Sequence, residues 1–152
     1  MPLIGRVNLD LAIDDLVNVT NDNLRGVYLA GLKNIVQGTP ADSGRARNNW
    51  FLSVGAPSNK ITTSSSVGGG GSLSQASKMP KDVLNNTIFF TNNLPYIGVL
   101  EYGGFPSPVE KGSYIKRSKS FEILSINGFS KQAPNGWVRK TVIQMQNKIR
   151  SL

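Results

Sequence analysis

Residues 8–37 place an apolar or small side chain every three or four positions, and this spacing constrains the chain more than any other feature. Leu9, Ile13, Leu16, Thr20, Leu24, Val27, Gly31 and Ile35 step along one helical face, widened by Val17, Tyr28 and Leu32. Asn8 or Asp10 suits the start, and Asp14 and Asp15 fall in early turns where the helix dipole favours acids. Gly38-Thr39-Pro40 reads as a stop. Thr20 interrupts the stripe and Asn18, Asn21 and Asn23 gather around it, so a kink or break is expected near 18–23. Unbroken, the helix would be about 45 Å long. That is long for a chain of 152 residues, and one end is expected to pack on a neighbouring subunit.

The remaining elements are short. Asp42-Ser43-Gly44 is turn chemistry, and residues 49–54, rich in aromatic and β-branched side chains, predict a strand. Residues 87–92 predict a second strand, with Asn92-Asn93 as its turn. Pro95 opens a short helix through Tyr102, in which Tyr96, Val99 and Leu100 share a face, and Phe105 to Val109 reads as an extended loop. Tyr114 to Lys119 is either strand or loop. Phe121 to Ile126 reads as strand, followed by the tight-turn signal Asn127-Gly128. Trp137, Val138, Thr141, Val142, Met145 and Ile149 keep helical spacing, which predicts an amphipathic helix over about 135–150. Each helix shows one apolar stripe to cover. The expected fold is therefore α+β: a long N-terminal helix and a C-terminal helix packed on a small, mostly antiparallel twisted sheet, as one domain over 1–152.

Residues 57–78 stand apart. The run from Thr62 to Ser72 holds little but Ser, Thr and Gly, too few apolar groups to offset its ordering entropy. A flexible Ser/Gly-rich insert is expected, or an arm that orders only against another subunit. Its four glycines are not a phosphate loop, because no Gly-Lys-Ser/Thr follows them.

Composition narrows the chemistry. The chain has no cysteine and no histidine. A Ser-His-Asp site, a thiolate nucleophile and a His- or Cys-ligated zinc are thereby excluded. Asp14 and Asp15, adjacent on a helix, point about 100° apart and make a poor acid/base pair. Asp10, Asp14, Asp42, Glu101 and Glu110 are scattered without ligand spacing, so no metal, cofactor or catalytic residue is assigned. Glu101 reads as a structural carboxylate held by hydrogen bonds or an arginine. No run of apolar residues is long enough to span a membrane, and residues 1–10 lack the apolar centre of a signal peptide.

The net charge is +8, and residues 101–152 hold nine basic against three acidic groups. Such a balance favours nucleic acid or an acidic protein partner, without sequence recognition, or is simply a solvated basic face. The candidate intersubunit or DNA-channel contacts are Arg45, Arg47, Lys116, Arg117 and Lys119, with Arg139 and Lys140 on the last helix. Arg47 and Arg139 suit intersubunit ion pairs equally well. Trp50, Tyr114 and Trp137 lie near these cations and could stack on bases, but their spacing fits core duty better.

Three segments together resemble a known family. Thr39-Pro40-Ala41-Asp42-Ser43-Gly44-Arg45-Ala46-Arg47 follows the long helix. Asn93-Leu94-Pro95-Tyr96-Ile97-Gly98-Val99-Leu100-Glu101-Tyr102-Gly103 follows a strand. Gln132-Ala133-Pro134-Asn135-Gly136-Trp137-Val138-Arg139-Lys140-Thr141 leads into the last helix. In order and spacing they resemble the small tail-completion and head–tail joining (neck) proteins of tailed bacteriophages, of the minor tail protein Z type. The resemblance implies a structural virion protein rather than an enzyme, assembled as a homo-oligomeric ring, six copies by analogy with tail symmetry. Its site would be the head–tail junction, after assembly in the host cytoplasm. Partners would be other neck, connector and tail-tube proteins, with non-specific contact to DNA in the channel and none to membrane. A tail terminator capping the tube is the neighbouring alternative, and a small basic DNA-binding accessory protein is the alternative of another class.

Overall fold

A computed structural model describes the backbone of residues 4–105 and 111–152, and side chains from Asn8 onward. The expected loop from Phe105 to Val109 and the acid Glu110 therefore fall largely outside the described residues. The fold is α+β, with a long N-terminal helix, a C-terminal helix and small antiparallel sheets.

Helix α1 runs from Ile4 to Gly38 without the expected break. The polar cluster at its middle has two uses that a break would lose. Thr20 turns its hydroxyl back onto the Leu16 carbonyl at 2.7 Å, a bond that leaves the helical ladder intact. Asn21 is buried, and its side-chain oxygen accepts the N–H groups of Val83 and Leu84 at 2.9 and 3.0 Å. The asparagine thus serves a distant turn rather than ending its own helix.

The strands do not join into one sheet. β1 (Phe51–Val54) pairs antiparallel with β2 (Ile88–Thr91), β3 (Ser113–Ile115) with β4 (Ser120–Glu122), and β5 (Ser125–Ile126) with β6 (Phe129–Ser130). In the first ribbon Leu52 pairs with Phe90 across the strands. Leu52 and the half-buried Phe90 both pack into the core. The 113–122 hairpin buries no such face within the chain: its aromatic pair, Tyr114 and Phe121, is exposed, and the hairpin does not add to β1–β2.

The core lies at the C-terminal half of α1. Leu32, Ile35 and Val36 meet Trp50, Leu52, Met79, Val83, Leu94, Leu100 and Trp137. Helix α4 (Val138–Arg150) crosses α1 where Gly31 has no side chain, leaving room for the Met145 thioether. The other half of α1 has no such cover: Leu9, Leu11, Ile13, Leu16, Val17 and Val19 are all exposed, Leu16 by 66%.

The Ser/Gly-rich stretch is bonded to its surroundings at several points. It contains the short helix α2 (Gly70–Leu73) and a 3-10 turn over Ser74–Lys78. Its anchors lie outside it. Asn49 exchanges two bonds with Thr62, at 2.8 and 3.0 Å. Asn48 donates to the Ser66 carbonyl and accepts from Gly71 N–H. Asn93 donates to the carbonyls of Ser58 and Lys60. The Ser72 hydroxyl accepts the Trp50 N–H. The segment is poor in apolar groups, with Leu73 and Ala76 packed against the core, and neighbouring amides satisfy much of its backbone, which composition does not reveal.

Candidate functional site

The three segments that carry the family resemblance come together at one place, the C-terminal end of α1. A helix end leaves its last carbonyls without intrahelical donors. Here Ile35 O accepts the Thr39 hydroxyl at 2.7 Å and the Trp137 indole N–H at 2.9 Å. The Thr39 hydroxyl in turn accepts the Trp50 indole N–H at 2.8 Å. Arg47 closes the end from outside, donating Nε and Nη2 to the Thr39 carbonyl at 3.0 and 2.8 Å and Nη1 to Val67 O at 2.6 Å. A guanidinium at a helix C-terminus is also favoured by the helix dipole.

The second and third segments meet at the start of α4. Glu101, on the short helix α3 (Ile97–Tyr102), is 5% exposed. Its carboxylate accepts the backbone N–H groups of Trp137 and Val138 on Oε2 and of Arg139 on Oε1, at 2.8 to 3.0 Å. These are donors an α-helix leaves free at its first turn, so Glu101 caps α4 from a different element. The Arg139 side chain pairs with the same carboxylate at 2.9 Å, reaches the Glu101 carbonyl, and lies 4.7 Å over the Tyr102 ring. Burial alone would push the Glu101 carboxyl up. The three N–H groups and the guanidinium outweigh it and hold the carboxyl below its ordinary value. Gly136, at φ 75°, passes against the Glu101 carbonyl and carboxylate, where any side chain would collide.

Gln132 joins the first segment to the third. Its amide exchanges two bonds with the backbone of Ala41, both at 2.9 Å. Below this link lies a cleft of about 450 Å³, lined by the turn Pro40–Ala46, by Tyr96, Leu100 and Phe105, and by Gly112 and Ser113 at the base of the β3–β4 hairpin. Among the described residues no group of three or more metal-ligating acids exists. Among the described residues, Asp42 and Arg45 are the charged ones of the cleft wall.

The candidate cations thus separate into two sets. Arg47 and Arg139 bond within their own chain, Arg47 to Thr39 and Val67 and Arg139 to Glu101. Arg45, Lys116, Arg117, Lys119 and Lys140 are exposed. Lys116, Arg117 and Lys119 share the turn of the β3–β4 hairpin, with Lys119 at φ 51°. Arg45 sits in the cleft wall near the hairpin base, and Lys140 sits on α4. Of the three aromatics, Trp50 and Trp137 are core residues, while Tyr114 is exposed and packs edge-on against Phe121 at 5.3 Å. The sequence reading missed Asn48, Asn49 and Gln132. The signal available was a polar Asn-Asn pair just before the apolar run Trp50-Phe51-Leu52, where side-chain amides are costly unless bonded.

Comparison of the chain with family models, with curated proteins and with solved structures gave no match. Among the described residues no helix is long and apolar enough to cross a membrane.

Proposed function

We propose that this chain is a structural subunit of a ring at the head–tail junction of a tailed bacteriophage, completing the tail or joining it to the capsid connector. The observation that carries the reading is the uncovered half of α1. Six large apolar side chains between Leu9 and Val19 face solvent on a helix that is otherwise well packed. An exposed apolar surface of this kind marks a site of association. A subunit that contacts identical neighbours through unlike surfaces closes into a ring when the rotation permits. The resemblance of the three converging segments supplies the biological setting. The exposed cations Arg45, Lys116, Arg117, Lys119 and Lys140 suit a channel through which DNA passes without sequence readout.

The test is depletion of the protein during phage growth combined with particle reconstruction. Completed heads and tails that fail to join, with the protein located at their junction in normal particles, is the expected result. Tails of uncontrolled length would assign a terminator role instead. Joined, infectious particles lacking the protein would overturn the reading.

A further inference from the structure

We propose that the exposed half of α1 docks on the β3–β4 hairpin of a second copy of this chain. The proposal rests on the ring reading only in assuming that copies meet, and it assigns the two surfaces that do so.

The two surfaces complement each other in charge and in apolar character. Residues 8–22 hold Asp10, Asp14, Asp15 and Asp22, all exposed, and no lysine or arginine. At 100° per residue, Leu9, Ile13, Leu16 and Val17 share one face, Asp10 borders it on one side, and Asp15 flanks the other beyond Val19. The hairpin is the reverse in sign. Its turn carries Lys116, Arg117 and Lys119, and its strands present Tyr114 and Phe121 directly opposite each other on one face, with Ile123 just beyond. Glu122, the acid on these strands, accepts a bond from the Ser118 hydroxyl at 2.9 Å.

Duplex DNA would satisfy the three cations but not the aromatic pair. Phe121 is 64% exposed and Tyr114 53%, and an acidic helix with an apolar face satisfies both features.

Position excludes pairing within one chain. The hairpin base, Gly112 and Ser113, lines the cleft with residues 40–46, just past the C-terminal end of α1. Leu16 lies about 33 Å back along the helix from Gly38. Complementary surfaces at opposite ends of a subunit suit a head-to-tail contact, which propagates or closes into a ring.

The absence of native cysteine makes the contact directly testable in the full chain. Leu16→Cys protein is mixed with Phe121→Cys protein and oxidised, and hetero-dimers are identified by peptide mass. Leu16→Cys mixed with Val67→Cys, another exposed position, gives the background. The Leu16–Phe121 link is expected to form at least about tenfold faster than background and to slow with added salt. Ile123→Cys repeats the measurement should Phe121→Cys fold poorly. Reversing Asp10, Asp14 and Asp15 to Lys abolishes the excess, and so does reversing Lys116, Arg117 and Lys119 to Glu in the other partner. Combining the two reversed proteins restores it. Equal rates for the hairpin and Val67 pairs overturn the pairing. So does an excess untouched by charge reversal. Background-rate linking by a hairpin that retards duplex DNA, and loses this on reversal, assigns it to nucleic acid instead. Each of these outcomes leaves the location of the protein in the particle to be decided independently by reconstruction.

Discussion

Arg139 holds Glu101 at both ends of the residue, with Nε on the carboxylate at 2.9 Å and Nη2 on the main-chain carbonyl at 3.1 Å. The arginine side chain is 53% exposed and the glutamate 7%, so the contact joins a buried acid to a cation that water still reaches. The backbone N–H groups of α4, more than the ion pair, justify burying that acid.

Replacing Glu101 with Ala is expected to cost about 2–4 kcal/mol, since it leaves three helix-start donors uncapped and removes a charge-assisted bond. Arg139→Ala, at an exposed partner, is expected to cost about 1 kcal/mol. Urea unfolding of the two variants measures the difference, and a larger loss for Arg139→Ala would contradict the capping role.

The same site predicts a pH dependence. The Glu101 carboxyl is held below its ordinary value near 4.5. Its contribution is therefore fully present above that value and is lost as pH falls through the lowered native value. The stability gap between the wild-type chain and Glu101→Gln should narrow over that acid range. A gap that stays constant from neutral to acid pH would argue against a buried, ionised cap.

At the other end of the junction, Thr39→Val should cost about 1–3 kcal/mol because it strands the Trp50 indole N–H in the core. Thr39→Ser retains the hydroxyl and should cost less. Tryptophan fluorescence, to which Trp50 and Trp137 both contribute, followed through unfolding, reports both.

The Ser/Gly-rich segment should exchange amide protons slowly at Thr62 and Gly71, whose N–H groups bond to Asn49 and Asn48. Asn49→Ala should release Thr62 while leaving Gly71 protected. Fast exchange at both amides in the wild-type chain would instead favour the flexible insert expected from composition.

Much of the fold was legible because periodicity reports burial. The last helix and the first two strands lie close to where their spacing put them, and the glycine and proline stop after α1 is where the helix ends. What stayed hidden was whether neighbours would supply partners. Leu9, Ile13 and Leu16 continue the stripe of Val27 and Ile35, yet the first three face solvent and the last two are core. Nothing in the repeat distinguishes a face covered by the same chain from one left open. The bonding of the insert stayed hidden for another reason, because its partners, Asn48, Asn49 and Asn93 among them, lie outside it. Glu101 was read correctly as a structural acid, but its donors sit more than thirty positions away, a pairing that only folding discloses.

The overhang of α1 also bears on how association would proceed. A helical stretch of about fifteen residues without tertiary support is marginal in water. Ordering it is then coupled to docking, and a single encounter between two subunits is weakened by that cost. In a closed ring every such stretch is held, and the final contact forms at high effective concentration because the ends are already tethered. In the ring proposed above, open arcs should therefore be scarce at equilibrium, with single subunits and complete rings as the populated states.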